Sequence, residues 1–236
     1  MNKPDELTEL NTFEAWEPDK FAKDARYMRT IKSFTSGQIH GDVLDVGCGS
    51  RIFCELSRAS TWTGLDISNR MLDSIHFSEE FTNKKIMQGD VLDLPFEDDS
   101  FDTVTAFFLL HHLGLKNKKQ SAERVQKAFR EISRVLRKDG RLIVAENCPG
   151  PIEAPYHLLF SPIFALGKTF FKTDMPYFWK PKAFLAFAEA AGFKPQAPYV
   201  HVPIVESIYQ PATKITTPAF LNSNLIQKMT IFDFQI

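Results

Sequence analysis

A short apolar run that ends in a glycine turn, residues 43–49, constrains the fold of this chain more than any other stretch. Val43, Leu44 and Val46 predict a buried strand. Gly47 and Gly49 permit a tight turn and let a ligand lie against the main chain. A helix is predicted at about 50–58, and its first N–H groups would face such a ligand. The segment therefore predicts the ligand crevice of a doubly wound α/β sheet.

Short apolar runs alternate with amphipathic helical patterns along the rest of the chain. Further strands are predicted at 62–67, 85–88, 101–107 and 141–145. Helices are predicted at 19–36 before Gly37, at 68–76 with Ser68 as N-cap, at 120–137 ended by Lys138-Asp139-Gly140, and at 181–191 ended by Gly192. This alternation is typical of a mostly parallel sheet with helices on both faces. Residues 195–209 predict two extended segments.

Composition excludes several classes of protein. The chain has 236 residues, of which 44% are hydrophobic and 24% charged, and this fits one folded domain. A net charge of −1 offers no basic excess to a nucleic acid. Cys48, Cys54 and Cys148 lack CxxC spacing, which predicts a reducing compartment and no metal site. The first thirty residues are charged throughout and the uncharged runs are short, so a cytoplasmic protein is expected.

Three aspartates stand at the ends of consecutive predicted strands. Asp45 lies in the first strand, where a carboxylate suits a ligand that carries a cation. Asp66 ends the second strand, where an acid can accept both hydrogen bonds of a ribose diol. Asp90 follows the third and can bind an adenine amine, while the amide of Val91 donates to a ring nitrogen. Together these residues predict S-adenosylmethionine as the ligand.

A nicotinamide dinucleotide site is the nearest competing interpretation. Such a site requires G-x-G-x-x-G or A, and Ile52 stands where the last small residue should be. A carboxylate at Asp45 would also repel a pyrophosphate.

The motifs at the strand ends resemble those of one family. They read V-L-D-V-G-C-G-S at 43–50, G-L-D-I-S-x-x-M-L at 64–72, G-D-V-L-D-L-P-F at 89–96, L-H-H-L at 110–113 and E-I-S-R-V-L-R-K-D-G-R-L-I-V-A-E at 131–146. In this order they are similar to the class I S-adenosylmethionine-dependent methyltransferases of the methyltransferase-11 group, over about 40–146 and more weakly to about 210. The resemblance implies an enzyme with a seven-stranded, Rossmann-like sheet and one antiparallel strand near its C-terminus.

The resemblance also implies which residues bind the cofactor. Those beside the methionine moiety would be Asp45, Gly47, Cys48, Gly49 and Phe107; those at the ribose, Asp66 and Ile67; those at the adenine, Asp90 and Val91. The family usually has a third glycine where this chain has Arg51. Either the arginine reaches the methionine carboxylate or it is a solvated side chain.

His111 and His112 follow the fourth predicted strand, where the acceptor pocket of such a fold should lie. Both are candidate catalytic residues, because either can act as a general base or orient the acceptor. Packing at the corner between strand and helix is the competing interpretation. Methyl transfer from a sulfonium is a direct displacement that depends mainly on positioning, so a base is needed only if the acceptor loses a proton.

Residues 147–180 contain five prolines and eight aromatic residues. This composition predicts a lid over a small apolar or aromatic acceptor: a quinone or phenolic precursor, a lipid or a secondary metabolite. The candidate acceptor-binding residues are Tyr27, Tyr156, Phe160 and Trp179. Core packing of these rings is the alternative. The segment is loosely similar to the quinone-precursor C-methyltransferases.

One methyltransferase domain over 1–236 is therefore predicted. It comprises an N-terminal helical cap (1–38), a cofactor-binding core (39–146), the lid insert (147–180), a C-terminal helix with strands (181–210) and an unassigned tail (211–236). A catalytically silent S-adenosylmethionine-binding subunit is the alternative function. Lysines flank the aromatic residues of the lid insert as in an interfacial segment, so a peripheral contact with a membrane is a further hypothesis.

Overall fold

The computed structural model describes residues 25–52, 56–75, 83–114, 117–149, 178–202 and 227–236. Eight strands in these ranges form one sheet: β1 (Gly41–Val46), β2 (Ala59–Asp66), β3 (Lys84–Gln88), β4 (Phe101–Phe107), β5 (Leu136–Pro149), β6 (Lys194–Pro195), β7 (Val200–Val202) and β8 (Gln227–Gln235). Their order is β3-β2-β1-β4-β5-β8-β6, and β7 also pairs with β8. The predicted doubly wound α/β fold is confirmed.

Neighbouring strands from β3 to β5 are parallel, whereas β8 runs antiparallel to β5, β6 and β7. The antiparallel strand implied by the resemblance is thus β8. The implied number of seven strands is wrong, because β6 and β7 are separate short segments. Strand β6 pairs with Phe234 and Gln235 of β8, and β7 pairs with residues 229–231 of β8. Together they fill the last position of the sheet.

Within the described ranges four α-helices flank the sheet: α1 (Ala25–Thr35), α2 (Asn69–Leu72), α3 (Lys118–Val135) and α4 (Pro181–Ala190). Asn117 caps α3, since its side chain accepts a hydrogen bond from the amide of Lys119 at 2.8 Å. The apolar stripe predicted for this helix is buried and includes Phe129 and Ile132. The predicted N-cap Ser68 is confirmed, although α2 is only one turn long. Gly192, with φ +93°, follows α4 as predicted.

Two predicted helix features are wrong. Residues 50–52 and 56–58 are the described parts of the predicted helix at 50–58, and they form turns, a bend and irregular backbone with no helix. Helix α3 ends at Val135, before the predicted end at Arg137 and the stop at Lys138-Asp139-Gly140, because Leu136 takes an extended conformation and pairs with Phe101 of β4. The Lys138-Asp139-Gly140 segment then lies within β5, where Asp139 has φ +64°.

The tail that could not be assigned from sequence contains β8, which pairs along β5 from Arg141 to Pro149. Strand β5 also continues three residues into the segment predicted as a lid insert. Most of that segment, with Tyr156 and Phe160, and most of the predicted N-terminal cap lie outside the described residues.

Alternate residues of β5 supply the cores on the two faces of the sheet. Leu142 and Val144 pack in the cluster that contains the stripe of α3, whereas Ile143 and Ala145 pack with Ile31 of α1. A strand segment covered on both faces is apolar on both, which explains the apolar run at residues 142–145. None of the described helices is long and apolar enough to cross a membrane.

Candidate functional site

The glycine turn after β1 is fixed to the end of β2. The amides of Gly47 and Cys48 donate to the carbonyl of Leu65 at 2.7 and 3.1 Å, and the amide of Gly49 donates to Oδ2 of Asp66 at 2.8 Å. Gly49 has φ +58°, and a Cβ built on it would meet no atom of the described residues within 4 Å. Among those residues the turn therefore leaves space at Gly49, where backbone is accessible to a ligand.

Asp45 is a buried acid with one unsatisfied oxygen. Its side chain is 1% exposed, and its Oδ1 accepts a hydrogen bond from Oγ1 of Thr105 on β4 at 2.7 Å. Its Oδ2 has no hydrogen-bond partner among the described residues. Burial raises the pKa of Asp45 from 3.8 to about 7; the charge of Asp66 raises it further, while Thr105 and the nearby Trp62 side chain lower it. A cation or a hydrogen-bond donor at Oδ2 would stabilise the ionised form.

Asp66 ends β2 and is half-buried. Its Oδ1 accepts from the amide of Ser68 at 2.9 Å, while its Oδ2 holds Gly49. A carboxylate has about four lone-pair positions, so both oxygens can still accept hydrogen bonds from ligand hydroxyls. The neighbouring Ile67 is also half-buried, and its carbonyl accepts from the side chain of Gln88. Ribose binding by Asp66 and Ile67 stays a prediction.

Asp90 follows β3 and begins a tight turn. Its Oδ1 accepts from the amide of Leu92 at 2.8 Å, and its carbonyl accepts from the amide of Asp93 at 3.0 Å. Val91 is buried in the core. Adenine recognition by these residues is likewise untested.

The three acids lie at the C-terminal edge of the sheet, the side where the parallel strands end, because β3, β2 and β1 are parallel neighbours. Strands in a sheet are about 4.8 Å apart, so this edge spans about 10 Å across the three strands. That length matches an extended nucleoside.

Phe107 and Cys48, both predicted to contact the cofactor, have buried side chains in the same core cluster as Trp62. Their described side-chain contacts are those of core residues. Arg51, half-buried, has its amide 3.5 Å from the carbonyl of Cys48, and neither interpretation of its side chain is tested. After Phe107 the chain turns sharply, because Phe108 has φ +55° and donates its amide to the carbonyl of Ala145 on β5.

The turn after β4 places His111 against Glu146 of β5. Nδ1 of His111 lies 2.7 Å from Oε2 of the glutamate, and both side chains are buried. Oε1 of Glu146 accepts from the amide of Leu110 at 2.5 Å. The ring of His112 lies 4.0 Å from that of His111. Burial, followed by the charge of His111, holds the pKa of His112 well below its usual range.

Among the predicted acceptor-binding residues, Trp179 has both its backbone and its side chain in the described part of the structure. Its indole is buried and packs edge-on against Phe187 of α4, which is a core contact. Tyr27 lies on α1, but its side chain is outside the described residues. Phe178 stacks on His111 with ring centroids 5.3 Å apart, so an aromatic residue does lie beside the histidine pair.

Sequence reasoning missed Thr105, Trp62 and Glu146. Thr105 and Trp62 lie on strands next to β1, level with Asp45 and Val43 respectively. Glu146 offered one signal: an acid in the strand that follows the histidine pair, near the edge where parallel strands end.

These residues fit S-adenosylmethionine. The unpaired Oδ2 of Asp45 would meet the cationic end of the ligand, and the open space at Gly49 would admit it against the backbone. Within the described ranges no group of three or more His, Cys, Asp or Glu residues has the arrangement of a metal site.

The fold is that of the S-adenosylmethionine-dependent methyltransferases. One solved structure of this class, from Mesorhizobium loti, aligns over 90% of this chain and 99% of its own with a TM-score of 0.59 and 18% identity. The YcgJ protein of Bacillus subtilis aligns over 89% and 96% with a TM-score of 0.56 and 20% identity.

Residues 44–144 match the family described as "Methyltransferase domain". The demethylmenaquinone methyltransferase of Staphylococcus aureus is 34% identical over 148 residues, which are 58% of this chain and 57% of that protein. The methyltransferase YcgJ is 30% identical over 144 residues, 54% and 53% of the two chains. The chain thus spans a little over half the length of the curated relatives it matches. The resemblance read from the motifs is confirmed.

Proposed function

We propose that this protein transfers a methyl group from S-adenosylmethionine to a small apolar or aromatic acceptor. The observation that carries the proposal is the buried, half-satisfied carboxylate of Asp45 at the same sheet edge as Asp66 and Asp90. A buried carboxylate with one unsatisfied oxygen is costly to ionise, and a cationic ligand at Oδ2 would offset that cost.

Each acid has a separate task in this proposal. Asp45 attracts the cationic end of the donor, Asp66 accepts hydrogen bonds from the ribose hydroxyls, and Asp90 with Val91 recognises the adenine. When bound, S-adenosylmethionine supplies an electrophilic methyl carbon on a sulfonium. The protein must then hold the acceptor atom about 3 Å from that carbon and in line with the sulfur.

An apolar acceptor is supported by the ring of Phe178 beside the histidine pair and by the composition of the segment that precedes it. Phe178 stacks on His111, and the preceding segment of the sequence is rich in Phe and Tyr. Concave sites lined by such residues bind apolar molecules. The matched Staphylococcus aureus relative is named for a quinone precursor, which agrees with an acceptor of this kind.

Donor binding is tested by titrating S-adenosylhomocysteine into wild type and Asp66→Ala in a calorimeter. The loss of charge-assisted hydrogen bonds should weaken binding by about 1–3 kcal/mol, or about 5- to 150-fold. Asp73→Ala, which removes an exposed aspartate after α2, is the matched control. Equal affinity in wild type and Asp66→Ala would refute the ribose assignment.

Methyl transfer is tested with labelled donor and fractionated small-molecule and lipid extracts. Label in an apolar acceptor supports the proposal. Donor binding without transfer to any fraction would favour the catalytically silent alternative. Cosedimentation with liposomes would indicate the peripheral membrane contact raised by the sequence.

A further inference from the structure

His111 and Glu146 form a buried pair in which every polar atom of the carboxylate is used. Glu146 is fully buried in β5, and its two oxygens contact Nδ1 of His111 and the amide of Leu110. A buried carboxylate is strongly disfavoured unless its hydrogen bonds are made, and here both oxygens have a donor.

The pairing fixes which ring nitrogen carries the proton. An ionised carboxylate only accepts hydrogen bonds, so the proton on the His111 side must sit on Nδ1. In the neutral ring Nε2 then has a free lone pair. A carboxylate at Nδ1 orients an imidazole and raises its basicity at the other nitrogen.

The surroundings of His111 favour this arrangement. The ring of Phe178 stacks on it at 5.3 Å with an interplanar angle of 24°, which limits access of water from that side. His112, at 4.0 Å, has a pKa held well below its usual range, chiefly by burial. It therefore stays uncharged near neutral pH and adds no positive charge beside His111.

The pair also lies next to the candidate donor site. The turn that holds His111 starts at Leu109, and a Cβ built on Gly47 would lie 2.6 Å from Cδ1 of Leu109. The turn after β4 thus packs directly against the glycine turn after β1.

We propose that Glu146 is a positioning residue that holds His111 as the Nδ1–H tautomer, so that Nε2 accepts the proton of a hydroxylated aromatic acceptor. The inference rests on the proposed methyl transfer and narrows its acceptor to a phenol or hydroquinone. As the acceptor oxygen bonds to the methyl carbon, the carbon–sulfur bond breaks and its electron pair stays on sulfur. The hydroxyl proton moves to Nε2, Glu146 pairs with the imidazolium, and the proton later leaves to water.

The tautomer is measured by long-range ¹H–¹⁵N NMR on protein labelled at histidine, with the His111 signal assigned through its backbone. The wild type should show the proton on Nδ1. In Glu146→Gln the side-chain carbonyl can still accept from Leu110, and its amide then faces Nδ1. We expect the proton to move to Nε2.

Activity is measured with labelled donor and three probes: a naphthohydroquinone, a catechol and a long-chain alkylphenol. Glu146→Gln should lower kcat by about 10²- to 10⁴-fold, as expected for loss of a general base, and change KM much less. Glu189→Gln, the same substitution at an exposed position of α4, should leave both parameters unchanged.

A proton on Nε2 in the wild type, or an unchanged kcat in Glu146→Gln, would overturn the proposal. The wild-type spectrum decides the tautomer even if the variant is unstable. Transfer to none of the three probes by protein that binds S-adenosylhomocysteine would overturn the hydroxylated acceptor. If the wild type does not bind S-adenosylhomocysteine, the proposed methyl transfer itself is refuted. This outcome is distinct from failure of the hydroxylated acceptor alone.

Discussion

Replacing Asp45 by Asn should flatten the pH dependence of stability in the ligand-free protein. In the folded chain burial raises the pKa of Asp45 from 3.8 to about 7. The raised pKa means that the folded state holds a proton that the unfolded chain releases between these two values. Stability must therefore fall as pH rises from about 4 to about 7 and stay level above.

The size of the effect follows from the two pKa values. Between pH 5 and the folded pKa of about 7, the unfolding free energy falls by about 1.36 kcal/mol for each pH unit. Between that pKa and pH 8 it stays nearly constant. Asp45 should thus cost the wild type about 2–3 kcal/mol over this range. Asparagine cannot ionise, and its carbonyl can still accept the hydrogen bond from Thr105.

The assay is chemical unfolding at pH 5 and pH 8, followed by tryptophan fluorescence. The quantity compared is the change in unfolding free energy between the two pH values, in wild type and Asp45→Asn. The lowered pKa of His112 destabilises both proteins alike on the acid side, so its effect cancels in the comparison. Asp93→Asn, an exposed aspartate at the same edge, serves as control. Equal pH dependence in wild type and Asp45→Asn would refute the buried, unpaired carboxylate.

Three further predictions concern the frame of the site. Gly64→Ala would place a Cβ 2.4 Å from Cη2 of Trp62 and 2.9 Å from Sγ of Cys48. We expect this overpacking to destabilise the protein by about 1–3 kcal/mol, measured by urea unfolding. An unchanged unfolding free energy would argue against this packing. Gly49→Ala meets no atom of the described residues but strains φ +58°, so it should cost about 1 kcal/mol by the same method. A larger loss would mean that the space beside Gly49 is filled. The hydrogen bond from the amide of Asp42 and the Arg137 side chain hold the pKa of Asp102 below its ordinary 3.8, so the stability that Asp102 contributes should be lost as the pH drops through that range. Arg137→Gln should reduce this loss, as measured by acid unfolding. An unchanged acid-unfolding profile would contradict the pairing.

The part of the fold that local patterns determine was predictable. β4 was predicted at its observed bounds, because its aromatic and β-branched residues favour a buried strand. Helix α3 followed from its 3.6-residue stripe. The order of the aspartates along the chain was enough to place them at one edge of the sheet.

What could not be predicted depends on residues far apart in sequence. Gly140 after a basic turn is a good helix end, yet pairing with Phe101 draws Leu136 into the sheet first. β8 contains Asp233, which interrupts its apolar pattern and is buried only because Arg141 pairs with it. The Asp45–Thr105 and His111–Glu146 contacts likewise join separate strands, so the aspartate and the histidine were found without their partners.

The antiparallel pairing of β5 with β8 has a consequence for synthesis on the ribosome. β5 must wait for a partner that follows after about 80 residues, which takes roughly 4–16 s at about 5–20 residues per second. Throughout that interval the nascent chain exposes the unpaired backbone N–H and C=O groups of a long strand, which can pair with other chains. We therefore expect the emerging polypeptide to need chaperone protection at this stage.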